Sequence, residues 1–246
     1  MENVKSNRKG ANGCSCLSPS ERKNILVACE ESQVVCIELR KRGHNAFSCD
    51  IVDCSGDHPE WHIKEDVLPL LNGFCEFNTS NGDWYRLDAK WDMIIAFPPC
   101  TYLSNAGACR LYPKKGVLNE GRYKKGLQAK EFFLEFWNAN CEKVSIENPV
   151  SSKIFDMPQH TQEIQPYEFG HPYTKKTRLW LKGLPKLIPT NIVQPIGPYV
   201  PSGTSRKDKS KYGAAKRGED AKNRAKTFPG VAKAMAEQWT ENIIDR

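Results

Sequence analysis

No stretch of this chain is apolar for long: no window approaches the roughly 18 uncharged apolar residues that a membrane span needs, so a soluble protein without a membrane partner is expected. Export signals are missing as well. The first 23 residues carry Lys5, Arg8, Lys9, Arg22 and Lys23 but no hydrophobic run, and are expected to form a disordered basic tail. Paired cysteine spacing is also lacking. Neither Cys14-x-Cys16 nor the group Cys54, His58 and His62 has the arrangement of a structural zinc site, so no metal is assigned. With no export signal and a chain long enough to fold on its own core, ten cysteines fit a reducing cytoplasm better than a disulfide framework. Glycine is absent where a phosphate would need it. The segment Ala28-Cys29-Glu30-Glu31-Ser32, after the first apolar run, has none, which disfavours a dinucleotide or triphosphate and leaves a nucleoside cofactor without phosphates.

What is present is a chain of 246 residues, a length over which an α/β sheet runs as one unit, and its 6 Trp, 10 Phe and 8 Tyr can fill a substantial core. One domain over 24–246 is expected. Its formal net charge of +7 is gathered into segments. Residues 110–130 hold seven Lys and Arg against Glu120 alone, and residues 203–226 hold nine against Asp208, Glu219 and Asp220. Charge concentrated in this way reads as a polyanion-binding face, with solvated loops as the plainer alternative.

From Lys23 onward apolar runs alternate with amphipathic stretches, which predicts βαβ units, a mostly parallel sheet and helices on both of its faces. Strands are expected over 24–29, 45–49, 62–67, 91–97, 144–146, 161–169 and 177–181. Helices are expected over 32–42, over 123–138 with Leu127, Phe132, Phe133, Phe136 and Trp137 inward, and over 230–239 behind Pro229. The segments 73–86 and 198–222 read as loops, the second within a basic insert at about 190–226.

Two of the apolar runs end in reactive residues. Phe97-Pro98-Pro99-Cys100 closes one, and Glu147-Asn148-Pro149, 47 residues after that cysteine, closes another. Ligand chemistry in open α/β sheets gathers beyond the carboxyl ends of parallel strands, so thiol and carboxylate are expected in one cleft. At an unperturbed pKa near 8.5 a thiol is only about 3% thiolate at pH 7, yet it is the strongest ordinary side-chain nucleophile. Pro98 and Pro99 limit how far Cys100 can wander. Glu147 at a strand end would be a costly buried charge without a partner or a task. The plainer alternatives are a cysteine packed as a small hydrophobe and a polar turn held by Asn148. Asp50 ends the second run, where an acidic side chain accepts hydrogen bonds from a ribose, and Asp66 ends the third, placed for an adenine edge. A cysteine nucleophile beside an acid is what covalent attack on a pyrimidine ring requires.

Over most of residues 24–240 the chain resembles the DNA cytosine-5 methyltransferases, in particular the short versions common in phage and prophage genomes. Phe97-Pro98-Pro99-Cys100 is similar to the nucleophile motif of that family, and Ile146-Glu147-Asn148-Pro149 to its acid motif. Thr174-Lys175-Lys176-Thr177-Arg178, followed by Leu179-Trp180-Leu181, is similar to the strand whose basic residues hold the target base and its phosphate. Thr227-Phe228-Pro229-Gly230 and the helix behind it resemble the closing helix that returns to the cofactor pocket.

The resemblance implies a Rossmann-like, S-adenosylmethionine-dependent methyltransferase fold, with DNA as partner and C5 of a flipped cytosine as methyl acceptor. On this footing Cys100 adds to C6, Glu147 engages N3 and the exocyclic amine, and Arg178 and Lys176 hold the base and its phosphate. Pro99, Ser104 and Asn148 would contact the substrate, with the segment 101–125 closing over the DNA backbone. Cys29, Glu30, Asp50, Asp66 and Pro98 fall where the family meets S-adenosylmethionine. The base must leave the stack because C5 and C6 cannot be approached inside a duplex, at a cost of a few kcal/mol offset by pocket contacts.

Three features depart from the larger members. Cys29-Glu30-Glu31 stands where they show Phe-x-Gly-x-Gly, Thr101 where they show Gln, and 45 residues separate Leu181 from Thr227 where they carry a target-recognition domain. Target specificity is therefore expected to be short, low or supplied by a partner. An exocyclic amino methyltransferase would share Pro98-Pro99 but has Asp or Asn in place of Phe97 and an aromatic in place of Cys100. A thymidylate-synthase-like nucleotide enzyme would share the cysteine, and a DNA-binding protein without turnover would share the fold.

Overall fold

Five largely buried strands form the parallel centre of this protein, and the two most central of them carry unbroken apolar runs. A computed structural model describes residues 18, 21–199 and 225–241. The strands are β1 (Asn24–Ala28), β2 (Asn45–Cys49), β3 (His62–Ile63), β4 (Cys75–Asn78), β5 (Trp84–Leu87), β6 (Met93–Ala96), β7 (Val144–Pro149), β8 (Gln162–Ile164), β9 (Tyr173–Thr174), β10 (Thr177–Lys182) and β11 (Gly197–Pro198). Helices are α1 (Val34–Lys41), α2 (Ala108–Leu111), α3 (Glu120–Asn138) and α4 (Pro229–Thr240).

Seven strands build one mixed sheet in the order β3-β2-β1-β6-β7-β10-β8. Strands β3, β2, β1, β6 and β7 pair in parallel, and β10 runs antiparallel to both β7 and β8. Among the parallel strands, chain order runs outward from β1 through β2 to β3 on one side and from β6 to β7 on the other, so a switch point lies between β1 and β6. The architecture is α/β and compatible with a Rossmann-like fold.

Side-chain alternation along the strands divides the core in two. Val27, Ile95, Leu179 and Leu181 face α1 and α4, where they meet Val35, Leu39 and Met235. Leu26, Ile94, Ile146 and Trp180 face α3 and meet Phe133 and Phe136. Each of those two phenylalanines is fully buried, a contribution of roughly 1.5–3 kcal/mol apiece. A small third cluster, Leu103, Leu111 and Phe155, lies under the first turns of α3.

Several expectations need correction. The segment 73–86 contains a hairpin, β4 with β5, because Phe77 and Tyr85 pack edge-on to Phe47 at ring-centroid distances of 5.1 and 4.8 Å. In α3 the inward stripe is Gly126, Phe133 and Phe136, so Leu127 is turned out and 37% exposed. The third strand is two residues long rather than running to 67, while β7 continues through Glu147 to Pro149 because β10 pairs with it that far. Residues 1–17 of the expected tail and 200–224 of the expected insert lie outside the described residues. Among the described residues, no helix is long and apolar enough to cross a membrane.

Candidate functional site

Parallel pairing of β6 with β7 ends at Ala96 opposite Ile146, so the next residues, Phe97 and Glu147, leave the same end of the sheet side by side. Both line a narrow cleft, closed by Lys175 and Thr177 and by Phe228 and Met235 at α4. Part of the Glu147 side chain faces the cleft, yet its carboxyl is enclosed by protein. Burial therefore holds it above the usual carboxylate range, opposed by the positive charge of Lys175.

Cys100 lies three residues past Phe97 and is half-buried. Its carbonyl accepts from the N–H of Leu103 at 3.1 Å and of Ser104 at 2.9 Å, which turns the chain back directly after the thiol. The returning segment is stitched to the one that follows Pro149. Asn105 N–H donates to the Val150 carbonyl and Ser152 N–H to the Leu103 carbonyl, both at 2.8 Å, around an antiparallel bridge of Ser104 with Ser151. Buried Leu103 anchors the turn against Phe155. Cys100 is thus held near the exit of β7 by backbone pairing, although it is not among the residues lining the Glu147 cleft.

Pro98 is buried and Pro99 exposed. Asn148, fully buried, donates its amide to the Pro98 carbonyl at 3.1 Å, while its Oδ1 is enclosed without a hydrogen-bond partner. Farther along, Arg122 of α3 donates to the Thr101 carbonyl at 2.6 Å and stacks its guanidinium 5.0 Å from the Tyr102 ring centroid. Of the basic segment 110–130, Arg110, Lys114, Lys115, Lys124 and Lys125 are exposed.

Arg178 and Lys176, which the resemblance assigns to the target base and its phosphate, do not line the Glu147 cleft. Arg178 pairs in register with Asn148 while Leu179 pairs with Glu147, and neighbours along a strand point to opposite faces. Arg178 accordingly lines a broader, polar depression with Ser151, His160 and Trp180 on the α3 side. Glu163 of β8 engages both cations, Arg178 at 3.2 Å and Lys176 at 3.5 Å. The residue that alternation does bring to Glu147 is Lys175, which the sequence reading passed over; counting back by twos from Leu179 would have found it.

The cofactor expectations divide as well. Cys29, half-buried at the end of β1, feels Asp50, Cys49 and Asp66, so these residues converge at the carboxyl ends of the first strands. Burial, then those neighbours, push its thiol well above the ordinary range. Asp50 is half-buried and raised by desolvation, with one oxygen accepting from Val52 N–H at 3.3 Å, and exposed Asp66 accepts from Leu68 N–H at 3.1 Å.

Glu30 does something different. It is 4% exposed, and its two oxygens accept from the N–H groups of Val35 at 2.7 Å and Cys36 at 3.2 Å, inside the first turn of α1. That helix begins after Gln33, which sits in the left-handed region at φ 58 and offers no side-chain cap. Glu30 supplies the missing acceptors and is a helix cap, not an outward ligand.

Among the described residues no group of three or more His, Cys, Asp and Glu could hold a metal ion. His62, singled out in the sequence, places Nδ1 2.9 Å from Ser48 Oγ and Nε2 2.8 Å from the Val52 carbonyl, which occupies both ring nitrogens. No protein-family model matches this chain, and no curated protein matches it.

Proposed function

We propose that this chain is a DNA cytosine-5 methyltransferase that uses Cys100 as nucleophile and Glu147 as the acid on the target base. The observation that carries the reading is the juxtaposition at the end of β6 and β7: an enclosed carboxyl beside Phe97, and a cysteine turn stitched to the same strand exit. Burial favours the protonated form of this carboxyl. It can then donate to N3 of a cytosine while its second oxygen accepts from the exocyclic amine. Protonation draws electrons from the ring, so the Cys100 thiolate adds to C6 and leaves C5 electron-rich. After C5 gains its methyl group it loses its proton to a base, the C6–S bond breaks, and the aromatic ring returns with the thiolate regenerated.

The residues at the ends of β1, β2 and β3 fit S-adenosylmethionine better than a phosphate-bearing nucleotide. Asp50 is a half-buried acceptor, Asp66 and the Cys29 thiol adjoin it, and acidic groups there suit a cationic ligand carrying ribose hydroxyls. When bound, this cofactor would supply an electrophilic methyl group on a sulfonium. Glu30, spent on α1, is withdrawn from the cofactor set.

The test is trapping on duplex DNA containing 5-fluorocytosine, in the presence of S-adenosylmethionine. Because fluorine at C5 cannot leave as a proton, the Cys100 adduct should persist on a denaturing gel and vanish in Cys100→Ala. Demonstrated DNA binding without an adduct would sink the proposal.

A further inference from the structure

Three basic residues precede or begin β10, and they do not share a destination. Thr177 and Leu179 pair with Pro149 and Glu147, while Arg178 pairs with Asn148 on the other face. Lys175 keeps phase with Thr177 and enters the Glu147 cleft. Lys176 and Arg178 are taken by Glu163.

We infer that Lys175 is the positioning residue for the Glu147 carboxyl, a role that neither Lys176 nor Arg178 fills. The inference deepens the reading of Glu147 as the acid on the target base, and rests on it for its catalytic meaning. Its geometric content stands apart. The main chain at Lys175 is fixed by its N–H, which donates to Gln165 Oε1 at 2.9 Å. Its ammonium lies 5.8 Å from the Phe228 ring centroid, a cation–π contact that holds the charge against one wall of the cleft.

The remaining walls carry no charge. Phe97 comes from the β6 exit, Ile164 and Pro166 from β8 and the turn after it, Thr177 from β10, and Phe228, Val231 and Met235 from the α4 region. His171 stands behind Phe228 at a ring-centroid distance of 5.1 Å, its Nε2 accepting from Gly230 N–H at 2.9 Å. Among the described residues, then, Lys175 is the one other titratable group lining the cleft. Apolar walls favour the neutral acid and the ammonium favours the carboxylate, so the two influences oppose each other on Glu147. Removing Lys175 leaves the walls unopposed.

The experiment is a carbon-13 NMR titration of the full chain labelled at glutamate carboxyls, with the Glu147 signal assigned through Glu147→Gln. Lys175→Met should raise the Glu147 midpoint by about one unit, a tenfold gain in proton affinity. Lys175→Gln serves as an independent neutral variant and should do the same, whereas Lys175→Arg should hold the midpoint near the parent value. Lys176→Met and Arg178→Met should leave it in place. A midpoint unmoved by both neutral variants, or moved as far by Arg178→Met, overturns the inference.

A second arm separates this outcome from that of the function itself, by following methyl transfer to duplex DNA against pH. Transfer by the parent chain with an unmoved NMR midpoint in the Lys175 variants sinks the Lys175 assignment alone. A shifted midpoint in a chain that transfers no methyl group leaves the pairing standing and sinks the methyltransferase reading. If both hold, the pH profile of kcat in Lys175→Met should move in the same direction as the NMR midpoint.

Discussion

The side-chain amide of Asn148 reaches the Pro98 carbonyl at 3.1 Å and ties the exit of β7 to the turn that carries Cys100. Asn148→Ala removes the donor and leaves a desolvated carbonyl behind. Stability should fall by about 1–3 kcal/mol, read from urea unfolding midpoints. Equal midpoints for parent and variant would show the contact to be idle.

Glu30 gives the protein a pH signature. Burial raises it from an ordinary 4.5 to about 8 in spite of the two N–H groups it accepts. Between those values the folded chain keeps a proton that the unfolded chain has released. Its stabilising effect is therefore full below about 4.5, declines as pH rises, and levels off above about 8. Glu30→Gln should flatten that decline in denaturant midpoints across the window. A variant retaining the full slope would assign it to another group.

Gly126 sits within α3 directly under Phe155, and a Cβ there would collide with the ring. Helix propensity alone favours alanine over glycine by about 1 kcal/mol. Overpacking should reverse that sign, so that Gly126→Ala loses about 1–3 kcal/mol and lowers the melting temperature. A more stable variant would mean that Phe155 can move aside freely.

For DNA binding, neutralising about six phosphates predicts a log–log salt slope near −5. Replacing exposed Lys114 and Lys115 by alanine should make the slope shallower by about 2, measured by fluorescence anisotropy on a labelled duplex. An affinity independent of salt would remove the polyanion reading.

The central strands could be read from the chain because a fully buried parallel strand needs a continuous apolar run, and β1 and β6 each have one, whereas Ser145 breaks the run in β7. Pro229 likewise marks the first turn of α4. The β4–β5 hairpin was hidden by its polar composition, although Asn81-Gly82, with Gly82 at φ 93, is a turn signal that could have revealed it. It packs on Phe47, distant in sequence, and on Trp91, contacts that local pattern does not report.

At the candidate site, the adjacency of Phe97 and Glu147 followed from their neighbouring strand ends, while Cys100, farther along the turn, lies outside the cleft that Glu147 lines. Which basic side chain accompanies Glu147 did not. It depends on the parity of the β7–β10 register, and a one-residue difference exchanges Lys175 for Lys176. Glu30, which the resemblance assigns to the cofactor, turns inward for another reason: α1 starts without a side-chain cap of its own.

Strand β10 is the later of two neighbours in sequence yet lies inside β8, so during synthesis 27 residues separate the end of β7 from the start of the partner that will cover it. Throughout that interval its open side ends in a carboxylate and a proline, two devices that discourage one nascent strand from docking on another. With β10 paired along β7 as far as Pro149, that edge is closed.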